Sequence, residues 1–238
     1  MAIVIDRRDP LTQPQGVEAG YAQTARRWPS QPLHRRPHTL SELTGPSSVM
    51  RRLGAVRGEP AGPVRGDVAG HGEKRAIGQL IHLRTRVVDE DGAPVRGAVV
   101  EIWHCNAAGK YIHPNDDNDA PADPNFYGAA RLVADNSGRI ELRTIKPAAY
   151  PVPDDARSWW RPPHVHFSVW GRVWLSRLVT QMFFPGEPLN EDDAVLKAIR
   201  DPEARAGCVA RLATPVPGAL VYEHQLVVRG RKSSPSLP

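Results

Sequence analysis

The sequence predicts a mainly β protein, a β-sandwich of short mixed or antiparallel strands with an irregular N-terminal arm and a few short helices. Short segments that are rich in β-branched residues, or that alternate apolar and polar side chains, recur along residues 76–238. Tight-turn signals separate them at Asp89–Gly92 and Asp135–Gly138. Within these residues helical patterns occur only near the C-terminal end, so the strands do not alternate with helices as they do in βα folds.

Residues 1–75 are predicted to form the arm, and residues 76–238 the sandwich that carries the functional site. The arm contains eight prolines and nine glycines, and we expect a loop at Arg57–Gly72 and a short helix at Thr39–Leu43. It accounts for the whole net charge of +5, with twelve Lys and Arg residues against seven Asp and Glu. Because its arginines form scattered pairs without interleaved aromatic residues, we expect a solvated or partner-facing arm and no nucleic-acid binding.

The sandwich is predicted to contain seven strands and two helices. In chain order, the predicted strands are Ile77–Asp89, Val95–His104, Gly128–Ala134, Arg139–Thr144, His164–Trp170, Leu178–Phe184 and Ala219–Arg229. The predicted helices are Asp192–Ile199 and Pro202–Leu212, and Pro202 suits the first turn of the second one.

Composition excludes several classes of protein. The two cysteines, Cys105 and Cys208, form no CxxC pair, which argues against a disulfide framework or a thiolate zinc cluster and favours a reducing cytoplasm. No run approaches the about 20 apolar residues of a membrane span, and residues 1–25 lack the apolar core of a signal peptide. We therefore expect a cytoplasmic protein without a membrane partner. The chain also lacks the motifs HExxH and GxSxG, a phosphate-binding GxxxxGKS/T loop and a Gly-rich dinucleotide fingerprint.

The segment Trp160–Phe167 contains a His-x-His pair on a predicted strand. Alternate residues of a strand project from the same face, so His164 and His166 could share one metal ion. An isolated pair of this kind is more often two hydrogen-bonded histidines of a half-buried strand. A third histidine or a carboxylate would complete a zinc, copper or ferrous site, and the loop residues Asp116, Asp117, Asp119 and Asp123 leave that alternative open.

Two of the five tyrosines follow turn-like residues beside predicted strands. Tyr111 comes after Gly109-Lys110, and Tyr150 follows Ala149 and precedes Pro151. Phenolate is a hard and strongly donating anion, so two of them would hold iron in the ferric state, and the metal would lower each phenol pKa far below about 10. The commoner role of a single tyrosine in such a place is an amphipathic residue at a sheet edge.

The combination resembles the intradiol ring-cleavage dioxygenases over nearly the whole chain. The matching segments, in order, are Gln31–Leu33, Thr39–Pro46, Val87–Gly92, Pro94-Val95, Val100–Trp103, Asn106–Tyr111, Ala120–Phe126, Arg143–Pro147, Ala149–Pro151, Trp160–Phe167 and Leu178–Phe184. The resemblance implies an enzyme of aromatic catabolism (the β-ketoadipate pathway) that uses O2 to cleave protocatechuate between its hydroxyls to 3-carboxy-cis,cis-muconate. Catechol or hydroxyquinol as the substrate, and a non-catalytic sandwich subunit, remain alternatives.

The same resemblance implies the site residues. Tyr111, Tyr150, His164 and His166 would bind one non-haem Fe(III), with water or hydroxide completing the coordination sphere. Tyr150 would also be catalytic, as the ligand that the substrate displaces. Arg161 would lie over the substrate ring and stabilise developing negative charge.

Further residues are assigned through the resemblance, and some depart from the family's pattern. Gln181 would shape the pocket near the ring, and Trp103 would be a pocket wall or a core tryptophan. Val152 stands where iron-binding chains of the family often have a tryptophan, which leaves the identity of the substrate open. In the remaining departures, His104 and Cys105 replace a usual Gln-Ala pair, and Tyr127 replaces a usual glycine; we expect Cys105 and Tyr127 to be structural.

The resemblance also implies a partner. In two-chain members of the family, a related α chain without the ligands pairs with the iron-binding β chain and contributes to the pocket. Because all four ligand positions are filled here, we expect this sequence to be the iron-binding chain of such a hetero-oligomer. Its basic arm would contact the α chain.

Overall fold

The computed structural model describes residues 31, 66–71, 73–152, 159–171, 177–228 and 232–237. The helix predicted at Thr39–Leu43 lies outside these residues, and so does most of the arm. Val68 belongs to the described part, and its backbone N–H donates to the carbonyl of Arg143 over 2.9 Å. Its side chain lies in the main hydrophobic core. The division of the chain at residue 76 stays a prediction.

The described residues contain twelve strands and three short helices. The strands are β1 (Gly70–His71), β2 (Lys74–Arg75), β3 (Leu80–Val88), β4 (Val99–Trp103), β5 (Ala129–Val133), β6 (Arg139–Ile145), β7 (Tyr150–Val152), β8 (Trp159–Arg161), β9 (His164–Trp170), β10 (Arg177–Phe183), β11 (Arg211–Val216) and β12 (Ala219–Val227). The helices are a 3-10 helix at Pro188–Glu191, α1 (Ala194–Lys197) and α2 (Pro202–Ala206). None of the helices in this part of the chain is long and apolar enough to cross a membrane.

Two four-stranded sheets form the body of the molecule. One has the strand order β10-β9-β4-β5, and the other has the order β11-β12-β3-β6. All neighbours in these sheets are antiparallel except β12 and β3, which run parallel. The pairs β1-β2 and β7-β8 form separate two-stranded ribbons. The predicted sandwich of mixed and antiparallel short strands is therefore confirmed.

The core lies between the two large sheets, because alternate residues of their strands are apolar. Leu83 of β3, Ile102 of β4 and Phe167 of β9 belong to one buried cluster that both sheets supply. Each apolar side chain of this size stabilises the fold by about 1.5–3 kcal/mol when it is fully buried. A smaller cluster around Ile199 packs α1 against the end of β10. That packing anchors the helical segment beside the sheet.

The seven predicted strands are present with ends that differ by a few residues, and β9 has the predicted bounds. The prediction of a helix at Pro202–Leu212 is wrong beyond Ala206, because Arg211–Val216 forms the edge strand β11. This segment is extended because it pairs with β12. The register of that pairing shifts between Ala213 and Val216. The short ribbons β1-β2 and β7-β8 were not predicted from the sequence.

Candidate metal centre

Strand β9 places its two histidines side by side. Val165 and Phe167 belong to the core cluster, so His164 and His166 at the alternate positions face the other side of the sheet. Their ring centroids lie 4.9 Å apart, with an angle of 69° between the planes. The prediction that the pair projects from one face of a strand is confirmed.

A backbone carbonyl fixes the orientation of the His164 ring. Nδ1 of His164 lies 2.8 Å from the carbonyl oxygen of Pro162, which can only accept, so Nδ1 carries the proton and Nε2 keeps its lone pair. Burial, followed by the nearby charge of Arg161, holds the pKa of His164 well below its usual range. The side chain is therefore a neutral imidazole, the form in which histidine binds a metal.

His166 is oriented by ring stacking. Its imidazole lies on the indole of Trp103, with centroids 4.9 Å apart and planes only 6° from parallel. The two residues are direct cross-strand neighbours in β9 and β4, and Gln181 of β10 lies opposite His166 on the other side. Within the described residues, Nδ1 of His166 has no hydrogen-bond partner. Burial, then the charge of Arg161, lowers the pKa of this histidine from 6.5 to about 3.

A tight turn after β4 brings Tyr111 next to Tyr150. Asn106 begins this turn, and its Oδ1 accepts hydrogen bonds from the backbone N–H groups of Ala108 and Lys110, each over 2.9 Å. Gly109 has a φ of +88°, and a Cβ added there would lie 3.0 Å from the Cβ of Tyr150. Only glycine therefore allows the two tyrosine-bearing segments to approach so closely.

Four donor atoms converge on one place. Oη of Tyr111 lies 3.1 Å from Nε2 of His166, and Oη of Tyr150 lies 3.4 Å from Nε2 of His164. The two phenol rings meet edge to face, with centroids 5.4 Å apart. Burial raises the pKa of Tyr111 well above its ordinary value, so its phenolate forms there only beside a cation. Two hard oxygen donors and two neutral imidazoles suit a ferric ion.

The loop aspartates are engaged elsewhere or exposed. Asp116 accepts the backbone N–H of Tyr111 over 2.6 Å, and Asp123 accepts that of Ile77 over 2.7 Å. Asp117 and Asp119 are exposed. Among the residues that the structure describes, no group of three or more His, Cys, Asp and Glu side chains is placed to hold a metal ion. The donors that lie beside the two imidazoles are the tyrosine oxygens.

Arg161 is buried against the histidine pair. Its Nη1 lies 3.1 Å from Nε2 of His164, and its Nη2 donates to Oε1 of Gln181 over 2.7 Å. Asp193 accepts from Nε over 2.9 Å and from Nη2 over 3.3 Å. Arg161 is the cross-strand partner of Tyr150 in the β7-β8 ribbon, so this ribbon places a phenol and a guanidinium next to each other.

The remaining residues named in the sequence analysis lie around this centre or away from it. His104 is buried, with Nδ1 2.7 Å from the carbonyl of Cys105 and Nε2 2.9 Å from Oγ1 of Thr144. Cys105 is a small buried residue, as predicted, and burial raises the pKa of its thiol to about 12. Tyr127 packs against the main core, as expected for a structural residue, and its assignment stays a prediction. Val152 is buried at the end of β7, two residues after Tyr150.

Two groups at the candidate site were not predicted from the sequence, namely the backbone carbonyl of Pro162 and the carboxylate of Asp193. The Pro162 carbonyl could not be found, because a backbone acceptor leaves no residue signal. Asp193 had a partial signal, since it stands at the start of the predicted helix Asp192–Ile199 and acts as N-cap of α1 by accepting from the N–H of Leu196. Nothing in the sequence pairs it with Arg161, which lies 32 residues earlier.

Residues 58–229 match a protein family described as Dioxygenase. The chain is 42% identical over 227 residues to the protocatechuate 3,4-dioxygenase beta chain of Burkholderia cepacia, an alignment that covers 89% of this chain and 96% of that one. It is 31% identical to the hydroxyquinol 1,2-dioxygenase of Rhizobium sp. (strain MTP-10005), covering 68% of this chain and 54% of that enzyme. The solved 3-chlorocatechol 1,2-dioxygenase of Rhodococcus opacus 1CP shares the fold, with a TM-score of 0.54 and 24% identity over 70% of this chain and 66% of that one.

Proposed function

We propose that this chain, which belongs to the intradiol ring-cleaving dioxygenase family, opens the ring of protocatechuate between its two hydroxyl groups to give 3-carboxy-cis,cis-muconate. Both atoms of O2 enter the product. The observation that carries the proposal is the convergence of two tyrosine oxygens and two histidine nitrogens beside a buried arginine.

The ligand set proposed for one non-haem Fe(III) is Tyr111, Tyr150, His164 and His166. Support comes from the facing donor atoms, from the neutral imidazoles and from the phenol of Tyr111, whose ionisation needs a nearby cation. When bound, the ferric ion supplies Lewis acidity that lowers the pKa of the phenol ligands and of the substrate hydroxyls.

The chain's own groups move protons and stabilise charge. Tyr150 sits at the ribbon end, where its Oη would accept the proton of one substrate hydroxyl and swing away as the diol takes its place. Arg161, fixed by buried partners, would direct Nη1 towards the negative charge that develops on the ring. Gln181 holds the same guanidinium from the neighbouring strand. Because Arg161 and Gln181 are fully buried, these groups act in a site shielded from water, where electrostatic effects are stronger than in bulk water.

We propose protocatechuate as the substrate, ahead of other diols, because one relative aligns with this chain along almost its whole length. That relative is named a protocatechuate 3,4-dioxygenase beta chain, whereas the hydroxyquinol 1,2-dioxygenase aligns over only 54% of its length. The name also supports an α chain as partner, which would help to recognise the substrate carboxylate. Val152 is the position at which the wall beside the ring would differ, and catechol or hydroxyquinol is the alternative substrate.

A visible spectrum of the purified protein tests the metal and its ligands together. Phenolate-to-iron charge transfer is expected to give a broad band and a wine-red colour. Tyr150→Phe should bleach or shift this band and lower kcat by at least about tenfold, because one anionic donor and one proton acceptor are lost. Tyr222→Phe is the matched control, since Tyr222 is a core tyrosine packed edge to face on Phe184. A folded protein that stays colourless when purified with iron would refute the ligand set. Zinc or copper found by metal analysis, at a content unchanged by Tyr150→Phe, would favour a histidine site for that metal instead.

Anaerobic titration with protocatechuate, catechol and hydroxyquinol tests the substrate. We expect the band to change at the lowest concentration with protocatechuate, and oxygen uptake to follow the same order when air is admitted. The assay is run with and without a co-expressed α chain. Spectral change without oxygen uptake in either form would identify a ligand-binding subunit that lacks catalytic activity.

A further inference from the structure

The buried pair of Arg161 and Asp193 extends the candidate site by one residue. Arg161 is 1% exposed and Asp193 is fully buried. Two of the guanidinium nitrogens donate to the two oxygens of this carboxylate, over 2.9 and 3.3 Å. A buried guanidinium is strongly destabilising unless an anion of this kind compensates its charge.

Asp193 is itself held rigidly. Its Oδ1 accepts the backbone N–H of Leu196 over 2.7 Å and so caps α1. Leu196 belongs to the apolar cluster that packs this helix against β10. The carboxylate therefore connects the position of the helical segment to that of the guanidinium.

The contacts of Arg161 are divided between its two sides. Nε and Nη2 bind the carboxylate and the amide oxygen of Gln181, whereas Nη1 points to Nε2 of His164. A planar group held along one edge can turn only about that edge, so the direction of Nη1 is set by Asp193 and Gln181 together. A shift of about 1 Å in a group of this kind can reduce the rate of an enzyme by about a hundredfold.

We propose that Asp193 is a positioning residue, which fixes the plane of the Arg161 guanidinium so that Nη1 faces the metal centre. The inference rests on the proposed ring-cleaving function and adds to it the residue through which Arg161 is oriented. Asp193 does not touch the substrate or the metal in this assignment. It acts entirely through the arginine.

The test compares Asp193→Asn with Asp201→Asn. Asp201 is the N-cap of α2 and accepts the N–H of Ala204 over 2.9 Å, which makes it a matched cap outside the candidate site. Asparagine keeps both caps, but at position 193 it replaces one acceptor of the guanidinium with a donor. We expect the melting temperature to fall by about 5–15 °C in Asp193→Asn and to stay nearly constant in Asp201→Asn.

Kinetics of the iron-loaded protein separate positioning from stability. Asp193→Asn should lower kcat by about 10- to 100-fold, while the resting visible band, the iron content and the anaerobic affinity for protocatechuate stay within about threefold of the wild-type values. Asp193→Glu, which restores the charge, should recover part of the loss. In an Arg161→Gln background the same Asp193→Asn change should cost less than about threefold, because the group through which Asp193 acts is gone.

Two results would overturn the inference. One is a kcat of Asp193→Asn within twofold of the wild type, and the other is an equal loss of kcat in the presence and absence of Arg161. If Asp193→Asn does not fold, the comparison passes to Asp193→Glu, whose kcat should still fall by at least about threefold with the resting band retained. Failure of the proposed function looks different, since the wild type itself would then lack the band or turnover.

Discussion

His224 allows a quantitative test of how the sandwich responds to acid. This histidine lies on the core-facing side of β12, with only 9% of its surface exposed, and its ring centroid is 6.1 Å from that of Phe167. Burial lowers its pKa from 6.5 to about 4. Between these two values the unfolded chain binds a proton at this residue and the folded chain does not.

The sign and size of the effect follow from that difference. The free energy of unfolding carries no penalty from His224 above pH 6.5. It decreases as the pH falls from 6.5 towards 4, because this histidine then binds a proton in the unfolded state but not in the folded state. At pH 5 the loss amounts to about 2 kcal/mol for pKa values of 6.5 and about 4. His224→Leu removes the ionisable group but keeps an apolar side chain of similar size.

The assay is urea unfolding at pH 7.5 and pH 5, for wild type and variant in the same iron state. Between pH 7.5 and pH 5 the free energy of unfolding should decrease in both proteins. We expect the decrease to be about 2 kcal/mol smaller in His224→Leu than in the wild type. His113→Leu is the control, since His113 is exposed in the loop after Tyr111 and keeps its contact with water in both states. An equal drop in His224→Leu and wild type would refute the reasoning that burial holds this histidine neutral.

Two further predictions concern the wall of the site. Trp103→Leu removes the surface on which His166 is stacked, so iron should be lost to a chelator about tenfold more readily, whereas Trp103→Phe should retain it; equal retention in both variants would contradict an orienting role for the ring. Val152→Trp introduces at the end of β7 the larger side chain that iron-binding chains of the family often have there, so it should lower kcat/KM for diols bulkier than protocatechuate by about tenfold relative to protocatechuate, as measured by oxygen uptake. An unchanged ratio would place Val152 away from the substrate.

Much of the fold could be predicted from the sequence because strand alternation is a local property. The segment His164–Trp170 has apolar residues at its alternate positions, and the structure gives it the same bounds. The ribbon β7-β8 has only three residues on each side, so its pairing depends on tertiary contacts that no local pattern encodes. The strand Arg211–Val216 was missed for a similar reason, since an edge strand with exposed side chains lacks a buried face.

The candidate site could be predicted only as far as residue types and spacing allow. His164 and His166 are two residues apart on a strand, and this spacing alone indicated that they face the same way. Tyr111 and Tyr150 are 39 positions apart, and the resemblance to a family joined them to the histidines. Neither spacing nor the resemblance predicted the ion pair of Arg161 with Asp193, because this pair arises from the way α1 packs beside β10.

Burial acts in opposite directions on the two kinds of proposed ligand. It lowers the pKa of His164 and His166, so both imidazoles are ready to bind a metal at neutral pH. It raises the pKa of Tyr111, so this phenol keeps its proton until a cation is close. Since the charge of Arg161 is matched by Asp193, that pair adds little net charge to compete with an incoming metal ion. The protons that leave the phenol ligands, and not a proton on either histidine, are therefore the ones we expect to make iron uptake depend on pH.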